Sequence, residues 1–463
     1  MVKKILLIAI SGVLMLSSCR KEKEIDVVAE SSPEYDQALK DAIMGATQGI
    51  GESALILPEE TQYSQIPQDP LNPITAAKVE LGKFLFHETQ IASEAKYTEG
   101  MSTFSCSSCH FAQAGFFSNV PQGVSDGGVG FGVAGEGRVF NPNYSLDSLD
   151  LVNNRTPSIL NTAYQKVMLY NGQFGAEGVN NGTENLWPPN TPIWNNQFGH
   201  EGVETQAIAG LTVHRMMVDE EFCETYPAYE QMFNDAFPDW PQQTRISQRT
   251  AGLAVAAYER TVLPNKAPFQ DWLKGDTEAM SPSEKRGAIL FFGEANCFKC
   301  HNGPGLNKSM PTGEGDTEFY ALGFNNLIEG PRVHLTVAQP TEALGRGSFT
   351  QDPDDYYTFK TPQLYNLADS PFYGHGSSFT SVRDVVEYKN NAVAQNPQVP
   401  TTQLDEEFVP LGLTSQQVTD ITNFIELSLH DDDLMRYVPI ELPTGNCFPN
   451  NDLQAQIDQG CVQ

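Results

Sequence analysis

Apolar residues recur at helical spacing in several separate stretches of the chain. Between residues 75 and 86, the side chains of Val79, Leu81, Phe84 and Leu85 fall on one face, which predicts an amphipathic helix. The same kind of pattern predicts helices over residues 35–50, 204–218, 247–262, 381–391 and 415–429. The predicted fold class is therefore mainly α.

A further helix start is predicted at Ser281. Ser281 can cap the helix, Pro282 suits its first turn, and Glu284 can complete a capping box; the helix should continue through residues 286–292. By contrast, residues 111–150 and 172–200 are rich in Gly, Asn, Pro or Ser and lack periodicity. Stretches of this length without periodicity predict long irregular loops, which in compact domains are usually functional.

The form Cys-x-x-Cys-His occurs twice, as Cys106-Ser107-Ser108-Cys109-His110 and as Cys297-Phe298-Lys299-Cys300-His301. Two thiols at this spacing can each add to a haem vinyl group, and the adjacent histidine can then bind the iron. Coincidence and a zinc site built from both cysteine pairs are the alternatives, but zinc leaves the histidine beside each pair unexplained. We predict two covalent c-type haems, attached through Cys106, Cys109, Cys297 and Cys300 and ligated by His110 and His301.

A short segment before each motif looks duplicated. Leu81-Gly82-Lys83-Phe84-Leu85-Phe86 and Arg286-Gly287-Ala288-Ile289-Leu290-Phe291 share a Gly and a run of apolar residues. This predicts two cytochrome c-like haem domains with long irregular loops. The predicted boundaries are 1–18 for a signal peptide, 19–70 for a tether and helix, 71–270 and 271–440 for the two haem domains, and 441–463 for a tail.

The first residues are typical of an export signal. Lys3 and Lys4 form a basic region, and the apolar residues 5–16 that follow are too few to span a bilayer comfortably. Leu16-Ser17-Ser18-Cys19 resembles a bacterial lipobox, which predicts cleavage before Cys19 and a lipid anchor on it. We therefore expect the protein on the periplasmic side of a membrane, where c-type haem is attached.

The net charge and the remaining cysteines give further expectations about partners and about disulfide pairing. A net charge of −30 makes nucleic acid an unexpected partner and suits a basic redox protein, although solubility explains the charge equally well. Cys447 and Cys461 flank a short polar loop, which predicts a disulfide in an oxidising compartment. Cys223 is then left over, and we expect it to be a buried free thiol.

From about Asn72 to His430, the chain resembles the bacterial di-haem cytochrome c peroxidase family, which includes the di-haem maturase of methylamine dehydrogenase. Besides the two haem motifs, several segments carry this resemblance. They are Asn72-Pro73, Glu80-Leu81-Gly82-Lys83, Arg155-Thr156-Pro157-Ser158-Ile159-Leu160-Asn161, Tyr258-Glu259-Arg260-Thr261, Phe269, Gly275-Asp276, Phe359-Lys360-Thr361-Pro362-Gln363-Leu364-Tyr365-Asn366 and Gly374-His375-Gly376.

The resemblance implies a division of labour between the haems. The N-terminal haem would meet hydrogen peroxide, and the C-terminal haem would take electrons from a small cytochrome c or cupredoxin. It also implies a calcium ion between the two domains, and it leaves a homodimer open. Nearby protein groups would move a proton between the two peroxide oxygens.

The chain departs from the family near the first haem. The loop histidine that often blocks the iron is missing, since no histidine occurs between Phe111 and Gly199. Gln206 matches a family glutamine, but the acid expected ten residues later falls at Met216. We predict that His214 and Arg215 act instead, as proton shuttle and charge stabiliser, with Glu204 as the fallback acid. The alternative is that His214 only packs or caps.

A second departure concerns an aromatic residue and the distal ligand of the second haem. Tyr170 stands where many relatives have a tryptophan, so it either passes electrons or fills the core. No methionine lies between Met310 and Met435, so the usual thioether ligand is unavailable there. We predict Lys389, bound as the neutral amine, or Tyr388 as the ligand, with His375 as the next candidate.

Three functions are compatible with these features. The leading hypothesis is a cytochrome c peroxidase. The second is an oxidase of the maturase type that modifies a partner protein, and the third is a plain electron carrier. An open first haem argues against the carrier, which normally keeps both axial positions of its iron filled.

Overall fold

The computed structural model describes residues 32–310, 318–335 and 343–462. The predicted signal peptide and Cys19, the predicted site of a lipid anchor, lie outside the described residues. Within those ranges, no helix is long and apolar enough to cross a membrane.

The described chain is mainly helical, as predicted. In chain order the helices are α1 Ser32–Ala46, α2 Ala76–His87, α3 Gly202–Val213, α4 Glu220–Thr225, α5 Pro227–Ala236, α6 Gln242–Arg245, α7 Gln248–Arg260, α8 Pro268–Leu273, α9 Pro282–Phe292, α10 Gly347–Thr350, α11 Val382–Asn391, α12 Ser415–Asn423 and α13 Leu453–Asp458. Within these ranges the strands form two antiparallel pairs: β1 Gly128–Val129 with β2 Val139–Phe140, and β3 Phe319–Tyr320 with β4 Phe359–Lys360. Long irregular segments join them.

Most helix ends agree with the sequence signals because side chains cap them. Thr75 accepts the backbone N–H of Lys78 at the start of α2, and Ser281 accepts that of Glu284 at the start of α9. Three ends differ from the prediction. The helix predicted to reach residue 50 ends at Ala46. The helix predicted to reach residue 218 ends at Val213, because Arg215 adopts a left-handed conformation with φ 55°. The helix predicted to reach residue 429 changes at Phe424 into a short π-helical turn.

The helices form two sets that pack around a continuous apolar core. In the first set, α2 packs against α5 and α7, and α3 packs against α7; in the second, α9 packs against α1 and α12, and α11 packs against α12. Because apolar side chains of both sets meet in that core, the division into two haem domains near residue 270 stays a prediction. The N-terminal helix α1 belongs with the second set.

Matching glycines let the helices before the two haem motifs pack closely. A Cβ atom at Gly82 in α2 would overlap the carbonyl oxygen of Ala254 in α7. A Cβ atom at Gly287 in α9 would likewise overlap the carbonyl oxygen of Asp420 in α12. The duplicated segments of the sequence therefore make equivalent helix–helix contacts.

The C-terminal segment is held firmly against the first set. The predicted Cys447–Cys461 disulfide is confirmed, and Cys223 is a buried free thiol, as predicted. The hydroxyl of Ser108, inside the first haem motif, donates to the carbonyl oxygen of Pro449 at 2.9 Å. Residues 441–462 thus cover part of the region around the first motif.

Candidate functional site

The first Cys-x-x-Cys-His motif presents two free thiols and an oriented imidazole. Cys106 and Cys109 are not bridged to each other. Nδ1 of His110 lies 3.2 Å from the carbonyl oxygen of Phe116. Since a carbonyl can only accept, Nδ1 carries the proton and the lone pair is on Nε2. Burial lowers the pKa of His110 to about 4, so the ring is neutral at neutral pH and able to bind a metal.

The second motif repeats this arrangement. Cys297 and Cys300 are also unbridged, and Nδ1 of His301 lies 3.1 Å from the carbonyl oxygen of Leu306. Burial lowers the pKa of His301 to about 4 as well. Both motifs therefore offer the donor set that covalent haem attachment requires: two thiols, and one imidazole nitrogen held ready by a backbone hydrogen bond.

The surroundings of the two histidines are also duplicated. Each ring is close to the carbonyl of a proline, Pro157 for His110 and Pro362 for His301. Four residues after each proline stands an asparagine in the left-handed region, Asn161 with φ 61° and Asn366 with φ 55°. The segments Arg155-Thr156-Pro157 and Lys360-Thr361-Pro362 therefore have equivalent places in the two halves.

A largely apolar cavity lies at the second motif. Its wall includes Cys297, Cys300 and His301, together with Lys389 from α11. Burial lowers the pKa of Lys389, while the nearby thiols of Cys300 and Cys297 act in the opposite direction. Burial of this kind favours the neutral amine, which is the form that can bind iron.

Tyr388 and His375 have other hydrogen-bond partners. The hydroxyl of Tyr388 donates to the carbonyl oxygen of Leu322, and its ring packs among Phe324, Phe379 and Phe408. His375 lines the cavity, but its Nε2 is 2.9 Å from Oδ1 of Asn326. Of the predicted distal candidates, Lys389 is the one that combines a place in the cavity wall with a basic nitrogen near both cysteines.

Tyr170 and Arg155 reach the same cavity from the first half of the chain. The guanidinium of Arg155 lies 4.0 Å from the centre of the Phe117 ring and donates to Ser370 at 2.7 Å. Tyr170 therefore lies in a cavity wall to which both halves of the chain contribute.

Beside the first motif, His214 is held by a carboxylate that the sequence analysis missed. Nδ1 of His214 lies 2.8 Å from Oδ2 of Asp150, whose carboxylate also accepts the hydroxyl of Ser125. Burial tends to lower the pKa of His214, but the charge and hydrogen bond of Asp150 outweigh it and raise the pKa above 6.5, its ordinary value. The segment that holds Ser125 is close to the first motif, because a Cβ atom at Gly123 would be 3.2 Å from the sulfur of Cys109. The charge of His214 also contributes to the lowered pKa of His110.

Arg215 is held by a second carboxylate. Its guanidinium pairs with Asp126 and donates to the carbonyl oxygen of Ser148 at 2.8 Å. Asp126 is fully buried and also accepts the backbone N–H of Lys96 at 2.6 Å. His214 and Arg215 are therefore each fixed by a carboxylate from the irregular loop that follows the first motif.

The two cysteine pairs do not come together into one site. Among the described residues, no group of three or more His, Cys, Asp or Glu side chains is arranged to hold a metal ion. The zinc alternative therefore has no support in the described ranges, whereas the donor sets at both motifs fit haem.

Comparison with known proteins agrees with this geometry. A family model described as di-haem cytochrome c peroxidase matches residues 76–278. Cytochrome-c peroxidase IdrP1 of Pseudomonas sp. (strain SCT) is 29% identical over 407 residues, which cover 82% of this chain and 89% of that protein. Over residues 76–278 the chain matches the di-haem cytochrome c peroxidase family. The similarity supports an enzyme of the peroxidase class whose cofactors are haems.

Two further comparisons extend this similarity. Methylamine utilization protein MauG of Methylorubrum extorquens is 25% identical over 366 residues, covering 78% of this chain and 80% of that protein. A solved structure described as a MauG-like protein associated with microbial copper homeostasis has a TM-score of 0.56 at 22% identity, and covers 82% of this chain and 96% of that one. The structural likeness supports the fold.

Two other residues predicted for the first site, Glu204 and Gln206, lie on α3. The carboxylate of Glu204 pairs with Arg260, with distances of 2.8 Å to Nε and 2.6 Å to Nη2. Both side chains are fully buried, and Arg260 also pairs with Glu201 at 3.0 Å. Gln206 is half-buried on the same helix. Because Glu204 is committed to Arg260, the geometry favours a structural role for it and leaves His214 as the better proton carrier.

We predict that Glu204→Ala destabilises the fold without impairing chemistry. Removing one partner of a buried ion pair leaves the other charge uncompensated, so the free energy of unfolding should fall by about 3 kcal/mol. Chemical denaturation measures this, and stopped-flow mixing with peroxide measures the rate per bound haem. Gln206→Ala, on the same helix but outside the ion pair, is the control and should change stability by less than about 1 kcal/mol. A slow but stable Glu204→Ala enzyme would return Glu204 to the role of catalytic acid.

Proposed function

We propose that this enzyme reduces hydrogen peroxide to water with electrons from a small periplasmic cytochrome c or cupredoxin. The observation that carries the proposal is the asymmetry between its two haem-binding motifs. Near the first motif are His214 and Arg215, each held by a carboxylate, and near the second is the half-buried side chain of Lys389. The first site is thus equipped for proton transfer and the second for a fixed axial ligand.

In this proposal each motif holds one c-type haem covalently. Cys106 and Cys109 would attach the first and Cys297 and Cys300 the second, with Nε2 of His110 and of His301 as the iron ligands. The bound haems supply the redox chemistry that reduces peroxide. The protein supplies binding, orientation and proton transfer.

His214 would move the proton at the first site. With Nδ1 bonded to Asp150, Nε2 is the free nitrogen that can take a proton from one peroxide oxygen and return it to the other. Asp150 fixes the tautomer and orientation of the ring. The fixed guanidinium of Arg215 would stabilise negative charge on the departing oxygen. No histidine between Phe111 and Gly199 is available to obstruct this site, so peroxide should react with the oxidised enzyme directly.

Electrons would enter at the second site and cross toward the first past Tyr170. A charge of −30 suits a basic donor protein. Export and a lipid on Cys19 would place the enzyme on the periplasmic side of a membrane, where such donors are found.

A calcium ion between the two predicted haem domains fits two buried amides. The Oδ1 atoms of Asn161 and Asn307 have no hydrogen-bond partner within the described residues. Nδ2 of Asn307 donates to the carbonyl oxygen of Asn161 at 3.3 Å, so the two residues touch across the predicted boundary. Amide oxygens of this kind are common calcium ligands.

Peroxide turnover tests the proposal. The holoenzyme, mixed with a reduced basic cytochrome c, should oxidise two molecules of cytochrome for each molecule of H2O2 consumed. The matched comparison replaces the basic cytochrome with an acidic one, which should react more slowly at low salt because like charges repel. A protein with both haems bound that consumes no peroxide with either donor would contradict the function.

We expect His214→Ala to slow the reaction with H2O2 by about 10²–10⁴-fold while both haems stay bound. Stopped-flow spectra of the haem report the rate. Asp150→Asn is the companion variant. The raised pKa of His214 means that the base is lost as the pH falls through a value above 6.5, so the rate should decline on the acid side. Without the Asp150 charge this decline should move to lower pH. Unchanged peroxide kinetics in His214→Ala would leave His214 as a packing residue.

Lys389→Met should raise the reduction potential of the second haem and change its low-spin signal, because a thioether stabilises the reduced iron better than an amine does. Spin-resonance and near-infrared spectra of the oxidised protein follow the ligand. Tyr388→Phe, the adjacent substitution on α11, should leave the signal as it is. The opposite pattern would assign the ligand to Tyr388.

A further inference from the structure

A pair of tyrosines connects the surface with the polar residues beside the first haem motif. Tyr97 is 40% exposed, whereas Tyr144 is buried. Their ring centres are 4.7 Å apart in an edge-to-face arrangement. At this separation the rings are in direct contact.

The buried tyrosine has a proton acceptor. The hydroxyl of Tyr144 donates to Oδ1 of Asp126 at 2.7 Å, and the other oxygen of this carboxylate meets Arg215. The hydroxyl of Tyr97 is 3.0 Å from that of Ser148, which in turn is 2.7 Å from that of Ser145. The outer phenol thus has a hydroxyl chain near the surface, and the inner one has a carboxylate.

Asp126 is also close to the place where the first haem would be attached. Buried Arg138 donates to the carbonyl oxygens of Val124 and Ser125, both at 2.7 Å. A Cβ atom at Gly123, the residue before Val124, would be 3.2 Å from the sulfur of Cys109. The segment from Gly123 to Asp126 therefore connects the thiol of Cys109 with Tyr144 and the exposed ring of Tyr97.

We propose that Tyr97 is a second oxidation site, at which small electron-rich phenols or aromatic amines lose single electrons to the first haem by way of Tyr144. This rests on the proposed function, because peroxide is the oxidant that makes the haem electron-deficient. Tyr144 gives one electron to the haem and its phenolic proton to Asp126, leaving a neutral tyrosyl radical and a protonated carboxyl group.

Tyr97 then restores Tyr144. It gives one electron to the Tyr144 radical, which takes its proton back from Asp126, while the proton of Tyr97 leaves through Ser148 and Ser145 to water. A small phenol reduces the Tyr97 radical by giving up one electron, with a proton returned to Tyr97. Two such cycles balance each peroxide: one H2O2 and two phenols become two waters and two phenoxyl radicals.

Radical trapping in the holoenzyme tests the route. After H2O2 is added without a donor protein, a nitroso spin trap followed by peptide mass spectrometry should find the adduct on Tyr97. Tyr97→Phe should remove this adduct, and Tyr144→Phe should reduce it by about tenfold or more. Tyr226→Phe, a half-buried tyrosine that packs on Phe222, is the matched control and should leave the adduct unchanged.

Phenol oxidation provides the second readout. Tyr97→Phe should slow peroxide-driven oxidation of a small phenol by about tenfold or more, while oxidation of a reduced cytochrome c keeps its rate. Because Tyr97 lies at the surface, this variant should fold normally, and haem content verifies that for each variant.

The outcomes separate this proposal from the function on which it depends. If peroxide does not change the haem spectrum at all, the proposed peroxidase function fails, and the tyrosine route fails with it. If peroxide changes the spectrum but no adduct forms on Tyr97, or if Tyr144→Phe leaves the adduct intact, the route alone is refuted.

Discussion

The close approach of backbone to backbone at Gly82 and Gly287 is the constraint on which both haem sites depend. Each glycine lies in the helix that leads into a Cys-x-x-Cys-His motif, and each lets that helix touch the carbonyl oxygen of a partner helix. Any side chain there would separate the helices and shift the motif relative to the loop that orients its histidine. The two halves of the chain thus use one packing solution twice, although their loops differ.

The differences between the halves lie in what the loops contribute. In the first half, Asp126 and Asp150 reach back to fix Arg215 and His214. In the second half, the helix α11 places Lys389 in the cavity wall. Buried ion pairs seldom stabilise a fold more than apolar packing would. Asp126 and Asp150 therefore matter mainly for position, because they hold the side chains of Arg215 and His214 just after the end of α3.

The helices, the two haem motifs and the disulfide could be predicted from the sequence, because each of these depends on local signals: apolar spacing, capping residues or cysteine spacing. The roles around the first motif were harder to predict. Asp126 and Asp150 lie in a glycine-rich stretch without periodicity, so no local pattern distinguishes them from other loop acids. Glu204 is a different case. The sequence suggested it as the fallback acid, yet its side chain pairs with buried Arg260, which lies 56 residues away in the sequence.

The hydrogen bond between Ser108 and Pro449 spans 341 residues of sequence. The first haem motif is consequently synthesised long before the segment that covers part of it. Until the end of the chain is made, Ser108 lacks this partner. If haem is attached covalently, as proposed, the order of synthesis would give the attaching enzyme a period in which this region is not yet covered.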